Sequence, residues 1–141
     1  MLALAVTACT TPSTSSRVAP DALLASIRAG TAPVVVDVRM RSEYDLAHVP
    51  GAINIPFYAL LAREDEIPGP RSEAVLVYCN HGPRAGVAKL ALRLVGFTDV
   101  RYLDGHMSGW KERGLPTEPP TASSRPVVAT KREPRQQTTT Q

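Results

Sequence analysis

One cysteine in this sequence stands where a thiol can become an anion. Cys79 follows the apolar, β-branched run Val75-Leu76-Val77-Tyr78 and precedes Asn80-His81-Gly82-Pro83-Arg84. The run reads as a buried parallel strand. Beyond the Gly-Pro pair, Val87, Leu90, Ala91 and Leu94 recur at i, i+3, i+4 and i+7, one face of an amphipathic helix that Gly96 would stop. Cys79 is thus expected at the carboxyl end of a strand, facing the amino end of a helix, where open α/β sheets bind ligands. A helix start offers unpaired N–H groups and a partial positive charge, and successive loop amides add to both. A free thiol with a pKa of about 8.5 is only a few per cent thiolate at neutral pH; lowering that value to about 6 takes about 3–4 kcal/mol of preferential anion stabilisation. Gly82 lets the backbone curl close to the sulfur, Pro83 suits the loop–helix junction, and Arg84 can offer a fork to an oxyanion. A cysteine after a strand can also be a packed small hydrophobe. The loop and helix behind Cys79 favour the nucleophile.

Other side chains could join this chemistry. His81, two residues on, is placed to act as a general base or to line the loop and tune its polarity. Asp37 ends a second apolar run, Val34-Val35-Val36, and with Glu43 puts two carboxylates near one sheet edge. They could do acid–base work, but pairing with Arg39 or Arg84 to anchor the loop fits a site of this shape better. Trp110 suits packing. The three histidines and two cysteines lack metal-ligand spacing, so no metal is expected. Cys9 and Cys79 do not make a disulfide framework.

The elements that must position these groups alternate. Val18-Ala19 suggests a short edge strand. Pro20 to Ala29 carries Leu23, Leu24 and Ile27 at helical spacing, with Gly30 as terminator. The strand ending at Asp37 is followed by a short helix, Ser42 to Leu46, with Ser42 as its N-cap. Pro50-Gly51 turns the chain, Ile53-Asn54-Ile55 is a brief strand, and a helix begins over Phe57 to Leu61. Arg63 to Pro70 reads as a charged loop and Val100 to Leu103 as the last strand. Strand–helix alternation implies one α/β domain with a mainly parallel sheet of about five strands and helices on both faces.

The chain of 141 residues, 43% hydrophobic, fits one modest domain, residues 17–116, with tails. Residues 1–120 hold twelve Lys/Arg and twelve Asp/Glu. The net +3 comes wholly from the tail, where Arg125, Lys131, Arg132 and Arg135 face Glu133. A neutral domain with a basic tail argues against nucleic-acid binding by the folded part. Residues 117–141, rich in Pro, Thr, Ser and Gln, read as disordered, with contact to anionic lipid as a second role. Residues 1–16 form a small apolar stretch, too short to span a bilayer, and a Thr/Ser/Pro tether. Val6-Thr7-Ala8-Cys9 resembles the lipobox of bacterial lipoprotein signal peptides, which would lipidate Cys9 and place the protein in the periplasm or anchored at the membrane of the cell envelope. No Lys or Arg precedes the apolar stretch; if it is not a signal, the chain stays cytoplasmic.

Four blocks together resemble the rhodanese-like family of sulfurtransferases, in its single-domain form. Cys79-Asn80-His81-Gly82-Pro83-Arg84 is similar to its C-x-x-G-x-R active loop. Asp37-Val38-Arg39 with Glu43-Tyr44, and His48-Val49-Pro50-Gly51-Ala52-Ile53-Asn54-Ile55-Pro56, resemble two upstream signatures. Leu103-Asp104-Gly105 with Gly109-Trp110 and Gly114-Leu115-Pro116 resembles the closing one. Ala85 departs from the usual Ser or Thr, Ala47 from the Gly before the histidine, and His106 from the second Gly of a Gly-Gly pair. Substrate contact is one role open to His106. The resemblance implies a sulfurtransferase without organic cofactor. Cys79 takes a sulfane sulfur from thiosulfate or a similar donor, holds it as a persulfide among the amides of Asn80 to Arg84, and passes it to cyanide or a thiol. Asp37, Arg39, Glu43 and His106 would support the loop, and the protein would be a monomer or weak homodimer. Two alternatives share the fold: cysteine-loop phosphatases or arsenate reductases, and idle interaction modules. The phosphatases place five residues between Cys and Arg where this chain has four, and idle modules usually lack the cysteine.

Overall fold

A computed structural model describes residues 16–119 of the chain. Cys9, the lipobox-like segment and the tail from residue 120 lie outside the described residues. Five short strands form one sheet: β1 (Arg17–Val18), β2 (Val34–Asp37), β3 (Ile53–Asn54), β4 (Ala74–Tyr78) and β5 (Asp99–Leu103), in the order β1-β5-β4-β2-β3. Every pairing is parallel, so each connection must cross over the sheet, and helices supply the crossovers. These are α1 (Pro20–Arg28), α2 (Arg41–Leu46), α3 (Leu60–Arg63), α4 (Pro83–Leu94) and α5 (His106–Glu112). This is the single α/β domain with a five-stranded parallel sheet that the sequence implies.

β4 is central, and its alternation divides the core. Val75, Val77 and Cys79 face one layer with Leu60 of α3 and Ala85, Ala88 and Leu92 of α4. Leu76 and Tyr78 face the other, with Leu23 and Leu24 of α1 and Met107 and Trp110 of α5. Consecutive residues on a strand point to opposite faces, so Tyr78 and Cys79 part company at the strand's end.

The structure corrects five sequence expectations. On α4 the buried residues are Ala85, Ala88, Ala91 and Leu92, whereas Val87, Leu90 and Leu94 are exposed. Both stripes have helical period, roughly 140° apart on the helix. Small alanines win the inner face because they let the helix lie close to the sheet, where the loop behind Cys79 requires it. Ser42 is not an N-cap; Met40 is, and the carboxylate of Glu43 accepts the Met40 N–H at 3.1 Å. Residues 57–59 form turns, so the helix starts at Leu60, and the expected charged loop opens with a 3-10 turn at Glu64–Glu66. Ordered pairing also runs past Pro116: the Glu118 and His48 backbones exchange hydrogen bonds of 2.9 and 3.1 Å, and the Glu118 carboxylate accepts the Gly51 N–H.

Candidate active site

The carboxyl ends of β2 and β4 and the amino ends of α4 and α5 meet in one place. Gly82 caps α4 with φ at +123°, a conformation that a side chain would strain, and Pro83 opens the helix. This turn folds the chain back on Cys79: the Gly82 N–H donates to Sγ at 3.0 Å. Cys79 is a buried free thiol. Among the described residues, the backbone N–H groups of Asn80, His81, Arg84 and Ala85 have no acceptor within the chain, while Gly86 N–H already bonds to the Gly82 carbonyl. Four amides without an acceptor among the described residues, in a turn at a helix start, are donors suited to an anion.

α5 closes the loop from outside. Met107 N–H donates to the Cys79 carbonyl at 3.0 Å and Ser108 N–H to the Asn80 carbonyl at 3.3 Å. His106, buried at the helix start, accepts the Cys79 N–H at Nδ1, 3.4 Å away. Its Nε2 would lie 3.2 Å from a Cβ added at Gly82. Met107 and Ser108 act through the backbone, which no residue type in the sequence announces.

Arg84 turns toward α2. Its guanidinium makes a two-armed pair with Glu43, at 2.5 Å (Nη1–Oε2) and 3.0 Å (Nη2–Oε1). That pairing, with the Met40 amide adding to it, holds the Glu43 carboxyl down at about 2. Arg84 therefore tethers the loop to α2, with about a quarter of its side chain left open to solvent. His81 is exposed and, with Arg17, Gly82, Tyr102, Asp104 and His106, borders a cleft of about 520 Å³.

On the other sheet face lies a second polar cluster. Arg39 grips Asp37 through Nε (3.0 and 3.1 Å) and Nη2 (2.6 Å), and Nη2 also donates to the Ala47 carbonyl at 2.7 Å. The Tyr78 hydroxyl donates to Asp37 at 2.8 Å and accepts the Val49 N–H at 3.1 Å. Burial, then the Asp37 charge, raises the Tyr78 phenol well above its usual range, so it stays a donor. Asp37 and Arg39 thus pair as anchors, not with Arg84. Sequence reasoning missed Tyr78; a tyrosine ending an otherwise aliphatic central strand is the signal, because its buried hydroxyl needs a partner. His48 stacks on Tyr44 with ring centroids 3.7 Å apart and bonds the Tyr44 carbonyl through Nδ1. Trp110 is fully buried and donates to the Pro116 carbonyl.

Comparisons with known proteins agree with this layout. The model of the Rhodanese-like domain family matches residues 19–113. The chain is 37% identical over 84 residues to the thiosulfate sulfurtransferase PspE of Escherichia coli, covering 60% of this chain and 81% of that protein. It is 31% identical over 104 residues to an uncharacterised Synechocystis protein, covering 74% of this chain but spanning only 56% of that protein's length. The solution structure of a Rhodanese-like domain from the Anabaena Alr3790 protein superposes with a TM-score of 0.66 at 26% identity, over 90% of this chain and 96% of that one.

Proposed function

Since the chain belongs to the Rhodanese-like domain family, we propose that it is a sulfurtransferase that carries sulfane sulfur on Cys79. The observation that carries this reading is the turn around that side chain. Sγ accepts the Gly82 N–H at 3.0 Å, and four neighbouring amides have no acceptor of their own. The likeness to a thiosulfate sulfurtransferase supports thiosulfate as donor.

The transfer has two halves. The Cys79 thiolate attacks the outer sulfur of thiosulfate; an S–S bond forms to Sγ as the bond to the sulfonate sulfur breaks, and sulfite leaves with that electron pair. The enzyme then holds a persulfide anion. A thiolate or cyanide attacks its terminal sulfur, takes it away as a persulfide or thiocyanate, and returns the Cys79 thiolate. The donor's sulfane sulfur is itself the oxidant of the acceptor, so no outside oxidant or reductant is needed, and the kinetics are ping-pong. The loop amides stabilise an anion one atom longer than the resting thiolate, which is where charge develops in the first half.

Intact-mass measurement after thiosulfate treatment tests this directly. One sulfur should be added, absent in Cys79→Ala and removed by cyanide. Hydrolysis of an aryl phosphate with no sulfur added would overturn the reading in favour of phosphoryl chemistry.

A further inference from the structure

We propose that His106 is a positioning residue of the Cys79 loop, whose uncharged imidazole holds the Cys79 amide and backs Gly82, and whose protonation releases the loop. Its kinetic consequence rests on the sulfur-transfer reading above.

Three independent observations meet at this side chain. First, His106 has φ at +52°, and among the described residues no other non-glycine residue has positive φ. A glycine would occupy that conformation freely, so the imidazole is kept against a backbone preference. Second, the ring is buried and accepts the Cys79 N–H through Nδ1 at 3.4 Å. An amide N–H can only donate, so Nδ1 must present a lone pair and the ring proton must sit on Nε2. Third, Nε2 lies against Gly82, so near that an added Cβ would be 3.2 Å from it. The residue whose N–H reaches Sγ is thereby held from behind. One ring thus bonds one end of the turn that brings Gly82 to the sulfur and fills the space beside the other.

Protonation would put N–H groups on both ring nitrogens and set two donors face to face at Cys79. The groups facing the ring are Arg17 from β1, Asp104 and Tyr102 from the end of β5, and His81 and Cys79 from the loop. Lys89 of α4 reaches this side only through the Tyr102 ring, 4.6 Å from its centroid. Burial foremost, then the Arg17 charge, holds the imidazole below its ordinary 6.5, against a smaller opposing pull from Asp104. The acceptor is therefore present above pH 6.5 and disappears as pH falls through the lower, folded value.

The experiment uses the full chain with Cys9→Ser, so that Cys79 is the sole thiol, and compares wild type, His106→Gly and His106→Asn at position 106. Glycine relieves the backbone and removes the acceptor. Asparagine sets an amide oxygen near the place of Nδ1, tolerates left-handed φ and does not titrate. At pH 7.5, His106→Gly should load sulfur from thiosulfate about tenfold to a hundredfold more slowly, with an unchanged or higher melting temperature. His106→Asn should stay within about threefold of wild type. Because any other pH effect on loading is common to both proteins, the ratio of wild-type to His106→Asn rates isolates the histidine, and it should fall as pH is lowered below 6.5. Loading by His106→Gly as fast as wild type, His106→Asn as slow as His106→Gly, or a ratio independent of pH would each overturn the proposal. If the wild type loads no sulfur, the sulfurtransferase reading fails alone. Alkylation of Cys79 by iodoacetamide, followed across the same proteins and pH values, then decides the role of His106 by the same three criteria.

Discussion

Tyr78 and Cys79 are consecutive residues, yet the sheet sends them into opposite kinds of surroundings. The Tyr78 hydroxyl enters a cluster in which Asp37 receives Tyr78, the Arg39 side chain and the Arg39 amide (2.9 Å). Asn54 adds hydrogen bonds to the Asp37 and Arg39 carbonyls. No buried side-chain polar atom among the described residues lacks a partner. The Cys79 side chain enters a turn with one donor at its sulfur and four amides that find no acceptor among the described residues. One end of the sheet thus holds a saturated cluster that fixes geometry and an undersaturated one that can receive a guest. A buried ion pair stays in place when its remaining lone pairs are satisfied. An anion site requires the reverse, donors already aimed but without an internal acceptor.

The sharpest way to separate the two regions is to remove each centre in turn. On the sulfurtransferase proposal and with Cys9→Ser, Cys79→Ala should reduce sulfur loading by more than about a thousandfold, because no other thiol then remains to carry the persulfide. Replacing a small thiol by a methyl should cost only about 1 kcal/mol of stability. Asp37→Ala should invert the pattern. It leaves Arg39 buried, with 3% of its side chain exposed, and uncompensated, which costs about 3–5 kcal/mol in a denaturant titration. Tyr78→Phe, which strips one arm of that cluster, should cost about 1–2 kcal/mol. If Cys79→Ala proved the more unfolded protein, the division drawn here would be wrong.

Gly82 sits where geometry and chemistry overlap, and its replacement should show both effects at intermediate size. At φ +123°, with His106 Nε2 3.2 Å from any added Cβ, Gly82→Ala should cost about 1–3 kcal/mol. It should also slow loading, since it is the Gly82 N–H that meets Sγ. Gly86, whose added Cβ would meet nothing within 4 Å, provides the control: Gly86→Ala in the helix interior should be neutral or stabilising by up to about 1 kcal/mol.

How far the sequence could be read follows the same division. The strand–loop–helix around Cys79 was legible because each residue there obeys a local rule: an apolar run, a glycine needing positive φ, a proline at a helix start. The Asp37–Arg39 and Glu43–Arg84 pairs were legible only as alternatives, because which acid meets which arginine depends on the distance between β2, α2 and α4. The buried face of α4 was misread because hydropathy ranks Val87, Leu90 and Leu94 above Ala85 and Ala88. What the sheet selects over the first turns of α4 is smallness, with Leu92 the large residue that faces in further along. The grip of Met107 and Ser108 on the loop is made by backbone N–H groups, which every residue but proline carries.

The Glu43–Arg84 pair gives the smallest and most specific test, because it joins the rigid side to the loop. Both side chains are close to one-third exposed, so solvent screens the pair and a contribution of about 1 kcal/mol is expected. The Glu43 carboxyl, held at about 2 instead of the ordinary 4.5, is depressed by folding. Its contribution is therefore fully present above pH 4.5 and is lost as pH falls through about 2. Glu43→Gln cannot ionise, so the stability gap between it and wild type should be about 1 kcal/mol at pH 7 and should shrink toward zero near pH 2. The Met40 N–H, which Glu43 also accepts, keeps an acceptor in the glutamine oxygen. What is lost is thus the charged arm to Arg84. A gap that stayed constant with pH would mean that the tether works by packing of the side-chain stems, and that the loop does not depend on the charge.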